Sequence, residues 1–139
     1  MKDGCTCKIF LADDDEEDCM LFKEALEETK EAQLELASDG LELMTSLKKM
    51  VELPSAIFLD LNMPRKGGME ALREIKRDKE LSKIPITVLS TASDRRQISE
   101  AYASGANCYI TKPDHYIDWL IIMKGLLHFF SRKRKQQSA

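Results

Sequence analysis

The sequence predicts an α/β domain in which a five-stranded parallel sheet is covered by helices on both faces. Short apolar runs alternate about five times with segments of helical periodicity. The connections between them are short, and neither a linker nor an internal repeat breaks the pattern. The 139 residues are 43% hydrophobic and 32% charged, with 6 Gly and 4 Pro, which suits one domain with one substantial core. The same composition excludes collagen-like, mucin-like and wholly disordered chains.

Lys8-Ile9-Phe10-Leu11-Ala12 reads as a first strand buried on both faces. A helix follows over 15–29, with Cys19, Phe22, Ala25 and Leu26 on its apolar side and acids in its first turn, where the helix dipole favours them. Residues 34–37 form a short second strand. Asp39, three before Glu42, opens a helix carrying Leu43, Leu47 and Met50. The third strand, 55–59, closes on Asp60, and the turn residues of Leu61-Asn62-Met63-Pro64-Arg65-Lys66-Gly67-Gly68 make a loop. Met69, Leu72 and Ile75 have helical spacing. Pro85 precedes a strand at 86–89, and Ile98, Ala101 and Tyr102 mark a helix stopped near Gly105. Cys108-Tyr109-Ile110 is the last strand, Lys112-Pro113 ends it, and a final helix runs over 114–130 before a basic polar tail, 131–139.

The net charge of −3 conceals a polarised chain: residues 1–60 carry sixteen acids and six bases, residues 61–139 eight acids and fifteen bases. The acids concentrate in Asp13-Asp14-Asp15-Glu16-Glu17-Asp18. No apolar run reaches the roughly 18 to 20 residues of a membrane span, and the N-terminus lacks an apolar signal core, so a cytoplasmic protein without membrane contact is expected. Cys5, Cys7, Cys19 and Cys108 are then expected as reduced thiols. The pair Cys5-Thr6-Cys7 lacks metal-ligand spacing. His115 and His128 lack it too, and no phosphate-binding glycine loop or dinucleotide fingerprint is present. Arg132-Lys133-Arg134-Lys135, without aromatic interleaving or a recognition helix, does not amount to a nucleic-acid site.

In open parallel sheets ligands gather beyond the carboxyl ends of the strands, near a topological switch point. There the first strand delivers Asp13 and Asp14, the third Asp60, the fourth Ser90 and Thr91, and the fifth Lys112. Unit charges about 4 Å apart interact by roughly 4 kcal/mol at an effective dielectric near 20, so three adjacent carboxylates need positive charge. Lys112 supplies one such charge. A hard divalent cation with oxygen ligands supplies the rest, which matches the preference of Mg²⁺. A carboxylate beside it can act as a nucleophile and form an aspartyl phosphate. Asp60 is the candidate, with the cation and ammonium on the phosphoryl oxygens and Ser90 hydrogen-bonded to the product.

Taken together, Asp13-Asp14, Phe58-Leu59-Asp60-Leu61-Asn62-Met63-Pro64 with Gly68, Ser90-Thr91-Ala92 and Tyr109-Ile110-Thr111-Lys112-Pro113 resemble the receiver domain of bacterial response regulators. The resemblance spans residues 8–130 and leaves 1–7 as an N-terminal extension. It implies a flavodoxin-like fold, with Asp60 accepting phosphate from a histidine kinase. It further implies Mg²⁺ held by Asp14, Asp60 and the Asn62 backbone carbonyl, with Asp13 helping through water. Lys112 and Ser90 would read the phosphate, and Tyr109 would move with Ser90 as a switch element. The acid triple admits two registers, and the resemblance selects Asp13 and Asp14 over Asp15. Ser90 stands where threonine is commoner, and Gly67 where an acidic or polar residue is usual.

The Leu-Asp-Leu-Asn-Met-Pro run is most similar to small stand-alone receivers served by phytochrome-type and hybrid histidine kinases. With no output domain after residue 130, the signal is expected to pass to a downstream protein through contacts. The final helix carries two apolar stripes, Ile117, Leu120, Ile121 and Leu127 on one side and Trp119, Ile122, Met123, Leu126 and Phe130 on the other. One sheet cannot cover both, so the second predicts a partner, either a kinase surface or another copy, with a homodimer through this helix the expectation. Two other readings stand beside this one. A small Mg²⁺-dependent phosphatase also uses an aspartyl phosphate, but it usually has a second aspartate where this chain has Asn62. A receiver-shaped scaffold would never accept phosphate.

Overall fold

The computed structural model describes residues 7–30, 32–92 and 94–138, with side chains described as far as residue 128. Most of the N-terminal extension, including Cys5, lies outside the described residues. The chain runs β1 (Cys7–Ala12), α1 (Glu16–Thr29), β2 (Ala32–Ala37), α2 (Gly40–Lys49), β3 (Ala56–Asp60), α3 (Gly68–Arg77), a single 3₁₀ turn (Leu81–Lys83), β4 (Ile86–Ser90), α4 (Arg95–Ala103), β5 (Cys108–Thr111) and α5 (Tyr116–Ser138).

All five strands are parallel, in the order β2-β1-β3-β4-β5, which is the flavodoxin-like arrangement. β3 and β4 are buried throughout, as their unbroken apolar runs require, while the edge strands β2 and β5 are partly exposed. The chain reverses its winding between β1 and β3. There Ala12 lies in register with Leu59, so Asp13 follows β1 at the level of Asp60. Ser90 lies in register with Thr111, so Lys112 comes next at the same edge.

Strand alternation divides the core into two layers. Phe10, Ile57, Leu59 and Val88 meet α2 and α3 through Leu43, Leu47, Leu72 and Ile75. Ile9, Leu11, Phe58 and Leu89 meet α1 and α5 through Phe22, Leu26, Trp119 and Met123. Phe22 packs edge-on against both Phe58 and Trp119, at 5.0 and 6.0 Å between ring centroids. Each fully buried side chain of this kind contributes about 1.5–3 kcal/mol.

Two expectations for α5 are corrected. The helix continues to Ser138 rather than ending at residue 130: no Gly or Pro stops it, and the bases at 132–135 suit the negative end of the helix dipole. The stripes also divide differently. Trp119, Met123 and Leu127, spaced by four, form the buried ridge, whereas Ile117 and Ile121 are exposed, so Leu127 belongs with the core. Leu120, Ile122 and Leu126 are half-buried between them, and the Phe130 side chain lies outside the described residues.

Candidate functional site

Asp15 is the N-cap of α1, its carboxylate accepting hydrogen bonds from the Glu17 and Asp18 amides at 3.0 and 3.1 Å. Asp13 and Asp14 therefore remain for the strand edge. Carboxylate oxygens of Asp13, Asp14 and Asp60 lie within 4.8 Å of one another, with Asp13 and Asp60 buried and Asp14 exposed. Asp13 accepts the Asp15 amide hydrogen at 3.0 Å, which fixes its carboxylate in place.

Lys112 reaches into this group. Its ammonium donates to Asp18 Oδ2 at 2.7 Å and pairs with Asp13 Oδ2 at 2.9 Å and Asp60 Oδ2 at 3.6 Å. Burial works against that charge, but the hydrogen bonds it gives to Asp18 and Asp13 outweigh it and hold the ammonium well above the usual lysine range. Asp60 shows the opposite balance. Burial, then the charge of Asp13, pushes its carboxyl up to about 7, against the pull of Lys112 and the Asn62 amide. With Asp18, four carboxyl groups gather around one ammonium and leave a net negative pocket of hard oxygen donors, which suits a divalent cation.

Asn62 meets Asp60 through its backbone, the amide donating to Asp60 Oδ1 at 3.4 Å. Gly68 lets α3 begin directly under the end of β3. A Cβ there would stand 2.1 Å from the Asp60 carbonyl oxygen and 2.7 Å from Leu61 Cα. The intervening loop is tied to α2: Arg65, in the left-handed region at φ 59°, donates from Nε to Asp39 Oδ2 at 2.7 Å, and the Gly40 amide donates to the Lys66 carbonyl at 2.9 Å. Asp39 at the same time caps α2, accepting from the Glu42 amide at 2.8 Å.

Ser90 is fully buried at the end of β4, its Oγ accepting from the Ala92 amide at 3.2 Å and from Gln97 Nε2 at 3.3 Å. Tyr109 joins the loop after Ser90, its hydroxyl donating to the Ala92 carbonyl at 2.8 Å. Two participants went unforeseen in the sequence, Asp18 and Gln97. Cys19 borders the acids, its thiol donating to the Asp13 carbonyl at 3.5 Å. Burial, then Asp13, pushes that thiol up to about 11, so it stays protonated near neutrality. No described helix is long and apolar enough to cross a membrane.

A parallel sheet whose first, third and fifth strands lead into two acids, a buried aspartate and a lysine at one edge defines a signalling receiver. Residues 9–118 match the family model described as the response regulator receiver domain, and the chain belongs to that family. Response regulator Rcp1 of Synechocystis sp. is 34% identical over 128 residues, covering 88% of this chain and 87% of Rcp1. Chemotaxis protein CheY-3 of Vibrio cholerae is 33% identical over 106 residues, covering 76% and 80%. Among solved structures, the phosphorylated cyanobacterial phytochrome response regulator RcpA superposes with a TM-score of 0.83 at 38% identity, covering 90% of this chain and 94% of that one. The Mn²⁺-bound form of Rcp1 superposes at 0.80 with 32% identity, covering 89% and 94%. This chain is thus a receiver of two-component signalling, and the phosphatase reading is not favoured.

Proposed function

We propose that Asp60 is the phosphoacceptor of this receiver, taking a phosphoryl group from a phosphohistidine of a histidine kinase. The observation that carries this is the buried Asp60 carboxylate, clustered with Asp13 and Asp14 and 3.6 Å from the Lys112 ammonium. An Asp60 oxygen attacks phosphorus, the donor's N–P bond breaks, and the imidazole leaves with the electron pair and takes a proton from water. Lys112 neutralises charge on the transferred group, and Ser90 donates its hydroxyl proton to a phosphoryl oxygen. The Asp13, Asp14 and Asp60 carboxylates and the Asn62 carbonyl would hold Mg²⁺, which when bound supplies Lewis-acid stabilisation of the phosphoryl oxygens.

The working unit is residues 8–130, with 1–7 and 131–139 outside it. Its chemistry is self-phosphorylation and slow self-dephosphorylation rather than turnover of a metabolite. Phosphate adds about −1.5 to −2 charge, enough to draw Ser90 and Lys112 inward, carry Tyr109 with them as the switch element and alter binding of a downstream protein. A phytochrome-type or hybrid kinase in the cytoplasm is the favoured donor, because RcpA is described as a phytochrome response regulator. The reading includes a homodimer through α5, where Ile117 and Ile121 sit one turn apart and are 59% and 62% exposed.

Incubation with acetyl phosphate and Mg²⁺, read by intact-mass spectrometry, tests the proposal. Wild type gains one phosphoryl group and Asp60→Asn gains none. Equal modification of both rejects Asp60 as acceptor, and a folded wild type that gains nothing restores the scaffold reading. Sizing of both proteins with and without phosphodonor tests the dimer.

A further inference from the structure

Ser90 is useful to a phosphoryl group only as a hydrogen-bond donor, and a serine hydroxyl turns freely unless its surroundings decide which way the proton points. A hydroxyl has one proton to give and two lone pairs to receive. Here one lone pair takes the Ala92 amide hydrogen at 3.2 Å and the other takes Gln97 Nε2–H at 3.3 Å. With both lone pairs engaged, the proton is the one function left to Ser90.

The orientation of the Gln97 amide follows from Tyr109. The Tyr109 hydroxyl gives its own proton to the Ala92 carbonyl at 2.8 Å, so toward residue 97 it can only accept. It does accept, from the same Nε2 at 3.4 Å. One amide nitrogen in the first turn of α4 thus serves two acceptors, Ser90 on β4 and Tyr109 on β5. Tyr109 is anchored from its other side as well, its backbone amide donating to the Tyr102 hydroxyl at 3.0 Å. Gln97 also lines a cleft of about 280 Å³ with Leu61, Asn62 and Met69, so it borders the loop that follows Asp60.

We propose that Gln97 is a positioning residue, which fixes Ser90 as a donor and links its position to that of Tyr109. The inference rests on the reading of Asp60 as phosphoacceptor. It requires an amide specifically: a carboxylate of the same shape offers only acceptors, so it would claim the Ser90 proton and lose Tyr109.

The test uses the full chain with Mg²⁺ and beryllofluoride as the phosphoryl mimic, comparing wild type, Gln97→Glu, Gln97→Leu, Tyr109→Phe and the Gln97→Leu/Tyr109→Phe double variant. Gln97 is only half-buried, and urea unfolding confirms that each variant folds. Gln97→Glu is expected to lose about tenfold in beryllofluoride affinity, the scale of one hydrogen bond near a charged group. Tyr109→Phe is expected to shift that affinity in the wild-type background and to leave it unmoved in the Gln97→Leu background, the coupling expected if the two act on Ser90 through one amide. Wild-type affinity in Gln97→Glu, with additive effects in the double variant, overturns this inference while leaving Asp60 as acceptor. No uptake by wild type overturns both.

Discussion

Lys112 gives its shortest hydrogen bond to Asp18, 2.7 Å from ammonium to Oδ2, while Asp60 stands 3.6 Å from the same nitrogen. Among the described residues the one ammonium in the cluster is therefore shared by Asp13, Asp18 and Asp60, and Asp18 on α1 competes for it with the proposed acceptor. Removing the cation and removing its competitor should have unequal consequences. Lys112→Met leaves buried carboxylates without their counter-charge and is expected to cost about 3 kcal/mol in the absence of divalent cations. Asp18→Asn keeps an acceptor of similar shape and is expected to cost about 1 kcal/mol. Urea unfolding in EDTA measures both, and the reverse order would mean that Asp18, not Lys112, organises the cluster.

The raised Asp60 carboxyl makes the metal-free protein sensitive to pH. Its folded value of about 7 lies above the ordinary aspartate value, so between the two the folded chain holds a proton that the unfolded chain releases. That contribution is fully present below about pH 4 and is lost as pH rises through about 7. Chemical unfolding in EDTA should show stability falling from about pH 5 to 8, with Asp60→Asn flattening the slope and raising stability at the upper end. Equal slopes for the two proteins would contradict the burial of Asp60 beside Asp13.

Gly68 has no room for a side chain, since a Cβ would lie 2.1 Å from the Asp60 carbonyl oxygen, an atom of the backbone that cannot swing aside. Gly68→Ala is expected to cost about 2 kcal/mol by moving the start of α3 away from β3, and to slow phosphorylation by displacing Asp60. Denaturant midpoints and acetyl phosphate labelling read the two effects. An unchanged midpoint would show that the loop yields freely.

Arg65 combines a left-handed backbone with a link from the loop to Asp39. Both Arg65→Ala and Arg65→Gly remove the guanidinium, but only glycine relieves the backbone, so the glycine variant is expected to be about 1 kcal/mol the more stable of the two. Calorimetric melting of the pair decides this, and equal melting points would place no strain at residue 65.

Much of this architecture was legible before any coordinates. β1, β3 and β4 could be read because strands buried on both faces leave unbroken apolar runs, and Asp39 announced α2 through its spacing to Glu42. Asp13, Asp14, Asp60 and Lys112 could be grouped because each follows such a run. Asp18 was hidden within an acidic helix start that resembles a solvated one. The available signal was its place one turn beyond the cap Asp15, where helical side chains lean back toward the N-terminus and so toward the strand ends. Gln97 left no trace, because a neutral amide on a short helix carries neither charge nor apolar periodicity. Leu127 was grouped with the wrong stripe of α5 because the helix is apolar nearly all round, so packing of Trp119 and Met123 against Phe22 and its neighbours, not pattern, decides which ridge is buried.

The most direct test of the account is to locate the phosphate chemically. After labelling with acetyl phosphate and Mg²⁺, borohydride reduces an aspartyl phosphate to homoserine, which peptide sequencing by mass spectrometry places at a single residue. The account predicts homoserine at position 60 and at neither 13 nor 14. Homoserine at either of those positions, or none in a folded and fully labelled sample, would contradict it.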